Sequence, residues 1–125
     1  MEAFFWSDAP FVFMHSVVAG ELLAGAVRPD LERRTYEDFI EPHEETRRII
    51  TPGHAAWRRA GGIVAQLIRA RRLGAGAVPR SFFNDCLIAA SAREHGFTLI
   101  TRNTANFQLI GTVERVDVVP PWPSR

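Results

Sequence analysis

Apolar and polar positions alternate most clearly between Ser81 and Phe107, and this stretch predicts a helix, a turn and a strand in that order. Ser81 or Asn84 is a suitable N-cap, and apolar or small residues then recur at helical spacing. Gly96 supplies the left-handed residue that helix C-termini favour. The apolar run from Phe97 to Ile100 predicts a mostly buried strand. The stretch is therefore one predicted helix–strand unit.

The remaining segments are predicted from the same periodicities and from turn residues. In chain order they are a strand over Phe11–Met14, a helix from Ser16 to about Ala26, a helix within Arg28–Pro42, a loop at His43–Glu45, a strand over Arg48–Thr51, a helix over His54–Leu73, a loop over Arg102–Asn106, a strand over Val113–Val119 and an extended tail over Pro120–Pro123. Alternating strands and helices imply a three-layer α/β/α domain with a mainly parallel central sheet. No linker divides the chain, so we expect a single domain over residues 1–125.

The predicted helices within Arg28–Pro42 and over His54–Leu73 have different apolar faces. The first is expected to turn Tyr36, Phe39 and Ile40 inward. The second has one apolar stripe, formed by Trp57, Ala60, Val64, Leu67 and Ile68. Arginines occupy the other faces of the helix predicted over His54–Leu73; they are Arg58, Arg59, Arg69, Arg71 and Arg72. These arginines form either a solvated face or a positive rim for a phosphate backbone. The pair Gly61-Gly62 predicts close packing against another helix.

The composition is that of a folded globular protein, with 46% hydrophobic and 23% charged residues. The formal charge is only +1, so there is no overall attraction to a polyanion. All 15 basic residues are arginines. This bias either favours bidentate phosphate contacts or reflects a GC-rich genome.

The single cysteine, Cys86, excludes an internal disulfide and fits a reducing compartment. Its position on an apolar helix predicts a buried packing residue rather than a nucleophile. Glu2 and Asp8 stand where a signal peptide would be positive, and Glu21 interrupts the apolar run Val17–Val27. Secretion and membrane spanning are therefore excluded as working models, and we expect a cytoplasmic protein.

Two acidic residues are candidates for chemistry. Asp85 lies in the first turn of the predicted helix, where the helix dipole stabilises a carboxylate by roughly 0.3–1 kcal/mol. It either only supports that helix or meets Asn103, which follows the next strand, at the sheet edge where ligands bind. Glu21 has apolar neighbours on both sides of the chain and is either solvated or an inward carboxylate kept for function.

The segments Asn84-Asp85-Cys86-Leu87-Ile88-Ala89, Gly96, Thr101-Arg102-Asn103 and Asn106-Phe107 resemble the C-terminal signature of PIN-domain nucleases, most closely the VapC toxins of bacterial toxin–antitoxin pairs. The segment from Val12 to Leu22 resembles the strand-to-helix region that carries the Glu of that family. The resemblance implies a PIN-like α/β/α fold and a metal-dependent endoribonuclease. It also implies RNA as substrate, typically structured or transfer RNA, a VapB-like antitoxin as partner, and a homodimer.

The resemblance assigns roles to particular side chains. Glu21 and Asp85 are the expected metal ligands, with Asn103 binding directly or through water, so these three form the catalytic set. Hard oxygen donors of this kind select Mg²⁺ or Mn²⁺. The supporting residues are Asn84, which would orient Asp85, Thr101, which would bind phosphate or shape the strand end, and Asn106.

The sequence departs from this family at several positions. PIN domains normally open with a strand bearing an Asp, but only twenty residues precede Glu21, and Asp8 lies in a predicted turn. Acids common in the last motif are replaced by Asn103 and Asn106. Two hypotheses follow: a ribonuclease that starts further upstream or borrows a ligand, or an impaired remnant that binds antitoxin or RNA. A phosphatase or response-regulator-like domain lacks the Asp that it needs after a first strand.

Overall fold

The computed structural model describes residues 12–76, 78–101 and 104–120. The chain divides into two compact units, Met1–Thr51 and Pro52–Arg125. The elements of the first unit are β1 (Met14–His15), α1 (Ser16–Gly25), α2 (Pro29–Thr35), a π-helical segment (Tyr36–Ile40), α3 (Glu41–Glu45) and β2 (Ile49–Ile50). Those of the second are α4 (His54–Arg69), α5 (Arg80–His95), β3 (Leu99–Ile100), α6 (Thr104–Ile110) and β4 (Val118–Val119). The expectation of a single domain stays a prediction.

In the first unit, β1 and β2 pair in parallel, with Met14 opposite Ile49. The chain passes from β1 directly into α1, and the N-cap is His15 rather than the predicted Ser16. The Val17 N–H donates to His15 Nδ1 at 3.1 Å, so the imidazole satisfies the first-turn amide that a serine hydroxyl was expected to bind. The predicted start of the strand at Phe11 lies outside the described residues, as do the residues before it.

Helical structure continues through Pro42, where the sequence predicted a helix end. The π-helical segment ends one residue before α3, and its wider turn is closed by the Glu41 N–H bonded to Tyr36 O. Pro42 then falls in the first turn of α3, where a missing N–H breaks no helical bond. The predicted loop at His43–Glu45 is therefore wrong. Ile40 is buried as predicted, whereas Phe39 is exposed.

The helices α3 and α4 end in the same backbone motif. At the end of α4, the Arg71 N–H donates to Ile68 O at 3.0 Å and the Arg72 N–H to Leu67 O at 2.9 Å. This pair of bonds is the Schellman motif, and Arg71 occupies its left-handed position with φ 57°. Arg47 holds the matching position after α3, with φ 58°. The motif explains why α4 stops at Arg69 instead of the predicted Leu73.

In the second unit, α4 packs against α5, and the buried residues of α4 are Ala56, Ala60, Ile63 and Leu67. Trp57 was predicted to face inward, but 51% of it is exposed, because Ala56 and Ile63 set the buried side of the helix. The predicted close packing at Gly61-Gly62 is also wrong. A side-chain carbon at position 61 would meet nothing within 4 Å, and one at position 62 would meet only Arg59 at 3.9 Å.

α5 begins at Arg80, one residue after Pro79, rather than at the predicted Ser81 or Asn84 caps. The Pro79 carbonyl accepts the N–H groups of Phe82 and Phe83 at 3.1 and 3.2 Å, so the first turn is already formed before Asn84. Asp85 consequently lies beyond the first turn, which contains no acidic residue, and the predicted dipole effect does not apply to it.

The end of α5 confirms the predicted left-handed glycine, since Gly96 has φ 72°. β3 follows and pairs in parallel with β4, with Leu99 opposite Val118. The predicted loop is wrong over 104–106, because α6 begins at Thr104; Phe107 and Ile110, one turn apart, are its buried residues. Parallel strands joined through helices in both units confirm the predicted α/β class. No described helix is long and apolar enough to cross a membrane.

Candidate functional site

Asp85 is the buried acid of α5. It is only 8% exposed, on a helix whose neighbouring positions are apolar from Cys86 to Ala90. The Asn106 Nδ2 donates a hydrogen bond to Asp85 Oδ2 at 2.9 Å. Asn106 therefore reaches the carboxylate from α6, 21 residues further along the chain. The structure thus joins two of the predicted site residues, one as a candidate ligand and the other as the amide that orients it.

The other predicted residues of the second unit lie near the same helix and strand ends. Asn84 precedes Asp85 on α5 and is half-buried. Thr101 directly follows β3 and is 1% exposed, with its N–H donated to Val119 O at 3.1 Å. Asn103 lies outside the described residues. Its role as a ligand therefore stays a prediction.

Glu21 belongs to the first unit, on α1. It is half-buried, and one carboxylate oxygen, Oε1, is shielded from solvent. The helix that carries it is fixed at its start by the His15 cap and by the buried Val18. Glu21 is therefore partly withdrawn from water rather than fully solvated, and its role as a ligand stays a prediction.

Cys86 adjoins Asp85 and is fully buried with a free thiol. Burial, and secondarily the charge of Asp85, raises the pKa of Cys86 to about 12. The buried thiol is consequently protonated at neutral pH and supplies no nucleophile. This confirms the predicted packing role.

Both predicted acids are hard oxygen donors. Asp85 of the second unit and Glu21 of the first are carboxylates, and carboxylate oxygens are ligands that Mg²⁺ and Mn²⁺ prefer. Among the described residues, no group of three His, Cys, Asp or Glu side chains is placed to hold a metal ion. The predicted set contains only two such residues, Glu21 and Asp85, together with the amide Asn103.

Sequence reasoning missed a second buried acid, Glu114, which is 6% exposed. Arg59 binds it with two hydrogen bonds, Nε to Oε2 at 2.9 Å and Nη2 to Oε1 at 3.0 Å. Arg93 Nη1 lies 3.5 Å from Oε1. The hydrogen bond with Glu114 raises the pKa of Arg59. Because 55 residues separate Arg59 from Glu114, no local pattern indicates this ion pair.

Comparisons with known proteins complete this description. A family model described as the PIN domain matches residues 2–111 of the chain. No curated protein matches the chain significantly.

Three solved structures are similar in fold. The structure of FitAB bound to an IR36 DNA fragment has a TM-score of 0.64 and 20% identity, over 91% of this chain and 76% of that chain. DNA-bound VapBC from Salmonella typhimurium has a TM-score of 0.63 and 24% identity, over 86% and 74%. FitAcB from Neisseria gonorrhoeae has a TM-score of 0.58 and 23% identity, over 90% and 77%. At these identities the likeness shows the fold.

Proposed function

This chain belongs to the PIN-domain family, whose model covers residues 2–111, and on that premise we propose that it is a metal-dependent endoribonuclease of the VapC type. PIN domains are generally nucleases. The observation that carries the proposal is Asp85, a carboxylate that is 8% exposed on an apolar stretch of α5. Burying a carboxylate is costly unless it is paired or coordinates a cation. A divalent cation bound to Asp85 would lower this cost further.

The proposed roles are those that the resemblance to PIN nucleases supports. Asp85 and Glu21 hold the cation, with Asn103 binding directly or through water. Asn106 fixes the orientation of the Asp85 carboxylate through its 2.9 Å hydrogen bond, and Asn84 supports it from the adjacent position. Mg²⁺ or Mn²⁺, when bound, would activate a water for attack on a phosphodiester and stabilise the developing charge.

The remaining parts of the proposal are the role of Thr101 and the molecules that the chain binds. The buried Thr101 shapes the strand end or binds a nearby phosphate. The resemblance to VapC toxins supports a VapB-like antitoxin and a homodimer, with RNA as substrate and a cytoplasmic location. Two of the similar solved structures are of VapBC and FitAB, both bound to DNA. We propose that this chain likewise works within a toxin–antitoxin complex.

Cleavage of total transfer RNA with Mg²⁺ or Mn²⁺ tests the proposal, with EDTA and Asp85→Asn as parallel arms. The variant should lower the rate by about 10²–10³-fold, the usual cost of losing one charge-stabilising group in an active site. Glu21→Gln should do the same. Asp117→Asn, at an exposed position of the same unit, is the matched control and should cleave normally.

Circular dichroism must show that the two site variants remain folded. Cleavage that survives EDTA, or equal activity in Asp85→Asn and Asp117→Asn, would exclude Asp85 from the chemistry. Unfolding of both Asp85→Asn and Glu21→Gln would show that these acids are structural.

The alternative is an impaired PIN remnant that binds antitoxin or RNA without cutting. It is favoured by the small number of acids, since only Glu21 and Asp85 among the proposed ligands are carboxylates. Two carboxylates hold a divalent cation less tightly than the four acids that are possible in this family. Calorimetric titration with Mn²⁺ separates the two functions: tight binding that is lost in Asp85→Asn counts against the remnant.

A further inference from the structure

Charge is strongly segregated along this chain. Residues 52–125 contain ten arginines and four acidic residues, a formal charge of +6, whereas residues 1–51 contain five arginines and ten acidic residues, a charge of −5. The overall charge of +1 hides this difference. Six arginines and no acidic residue lie between Arg58 and Asn84. The second unit therefore carries a local field that attracts anions.

Four of these arginines form what we call the interhelical arginine cluster, because they lie at the end of α4, in the following loop and at the start of α5. They are Arg69, Arg71, Arg72 and Arg80. All four are exposed, and within the described part of the chain none forms an ion pair or a side-chain hydrogen bond. Arg59 and Arg93 differ, since both are engaged by Glu114. The cluster is thus not required for internal pairing.

Arg71 lies at a conformationally restricted position within the cluster. It occupies the left-handed position of the Schellman motif, where a side chain is unfavourable and glycine is the usual residue. Gly96 holds the equivalent position after α5. An arginine at this position adds positive charge at the cost of backbone strain. The half negative charge of a helix C-terminus cannot neutralise four guanidinium groups.

Two aromatic rings lie beside Arg80, the last arginine of the cluster. Trp57 is 51% exposed, and its ring centroid is 5.9 Å from that of Phe83. Phe83 follows Arg80 by three positions on α5, so the two side chains share a helix face. Guanidinium groups with exposed aromatic rings are the combination that binds single-stranded nucleic acid, through phosphates and stacked bases.

We infer that the interhelical arginine cluster, with Trp57, is a binding surface for the backbone of single-stranded RNA. The inference rests on the proposed function, because it assigns the substrate of that reaction to this surface. Arg80 precedes Asp85 by five positions on α5, about 7.5 Å along the helix axis at 1.5 Å per residue. Arg80 is thus the member of the cluster that is nearest to the proposed metal ligand along the chain.

Binding is measured separately from cleavage, in the full chain carrying Asp85→Asn. The probe is a fluorescently labelled single-stranded RNA, followed by anisotropy over a series of salt concentrations. Arg71→Gln with Arg72→Gln should weaken binding and lower the slope of log K against log salt by about 1.4, or about 0.7 for each lost phosphate contact. Trp57→Ala should weaken binding with little change of slope.

Arg47→Gln is the matched control, since Arg47 has the same backbone position in the acidic unit and loses the same charge. It should leave RNA binding unchanged. Arg71→Gly and Arg47→Gly should both raise the unfolding midpoint, but only Arg71→Gly should weaken RNA binding. This pair separates loss of a contact from loss of stability.

The outcomes distinguish the surface from the proposed function. Three results would each overturn the inference. They are no RNA binding at low salt, equal effects of Arg47→Gln and Arg71→Gln on binding, and a salt slope that the arginine substitutions leave unchanged. Tighter binding of a labelled duplex DNA of equal length would overturn the assignment to RNA. If the unmodified chain fails to cleave RNA but the arginine variants bind it more weakly, the proposed nuclease fails and the surface stands.

Discussion

The C-termini of α3 and α4 have the same backbone motif in opposite electrostatic surroundings. Arg47 and Arg71 are both left-handed residues, and each is followed by a second arginine. Arg47 follows a stretch with five carboxylates, namely Glu37, Asp38, Glu41, Glu44 and Glu45, whereas Arg71 has no acidic residue within twelve positions on either side. Local conformation therefore does not reveal what an arginine contacts; the surrounding charge decides whether it finds internal acids or external anions.

Ion pairs differ between the units in the same way. Those of α2 in the first unit join exposed groups at 3.6–3.7 Å; they are Arg28–Asp30, Arg33–Glu37 and Arg34–Asp30. Exposed pairs contribute about 0–1 kcal/mol. In the second unit the Glu114 side chain is 7% exposed and is contacted by two arginines. Among the ion pairs of the described residues, the stability of the second unit therefore depends most on the pairs of this buried carboxylate.

Arg59→Met tests this difference between the two units, and we expect it to lower the free energy of unfolding more than any other substitution that we propose. It leaves the Glu114 carboxylate buried with only Arg93, at 3.5 Å, to compensate. Removing one partner of a buried pair usually costs 3–5 kcal/mol; because 41% of the Arg59 side chain is exposed, we expect about 2–3 kcal/mol. Urea unfolding measures the loss.

Arg33→Met is the control, since Arg33 pairs with Glu37 in the exposed, acidic unit. Its free energy of unfolding should change by less than about 0.5 kcal/mol. Glu114→Gln should cost less than Arg59→Met, because water can solvate the arginines that it leaves behind. Equal costs for Arg33→Met and Arg59→Met would show that burial of Glu114 does not matter for stability.

Arg71→Gly and Arg47→Gly should sharpen the comparison of the two helix ends. Each removes the left-handed strain of about 1–2 kcal/mol but also loses a favourable charge near a helix C-terminus, worth about 0.3–1 kcal/mol. We expect a net gain of about 0.5 kcal/mol in each. Thermal unfolding measures this gain, and destabilisation of both variants would show that these arginines satisfy the helix ends.

The smallest expected effect is on the titration of Tyr36, which depends only on the first unit, residues 1–51. Tyr36 is the only tyrosine, so tyrosinate absorbance measures its titration directly. The hydrogen bond to Glu44 and the charges around it raise the pKa of Tyr36 from 10.0 to about 12. Glu44→Gln should return the pKa towards 10, and Glu45→Gln should move it much less, because Glu45 contributes only a distant charge.

The pH dependence of stability follows from the sign of this shift. The folded chain binds the Tyr36 proton more tightly than the unfolded chain does, so this contribution is complete below pH 10 and is lost as the pH rises towards 12. A midpoint near 10 in the unmodified chain would show that Glu44 does not hold the phenol.

The sequence by itself determined the family, the α/β class, the glycine end of α5, the strand around Ile49 and the buried thiol of Cys86. These depend on local periodicity, on a cap or on apolar neighbours, which adjacent residues decide. It also singled out Glu21 and Asp85, because a carboxylate among apolar residues is visible in the chain. Their assignment as metal ligands stays a prediction.

Tertiary structure alone decided which distant groups meet. Asn106 was predicted in a loop, but α6 brings its amide to Asp85 across 21 residues, and Glu114 meets Arg59 across 55. The exposure of Trp57 likewise depends on which face of α4 packs against α5. A side chain's partner is set by the path of the whole chain, whereas propensities and caps are set within about one helical turn.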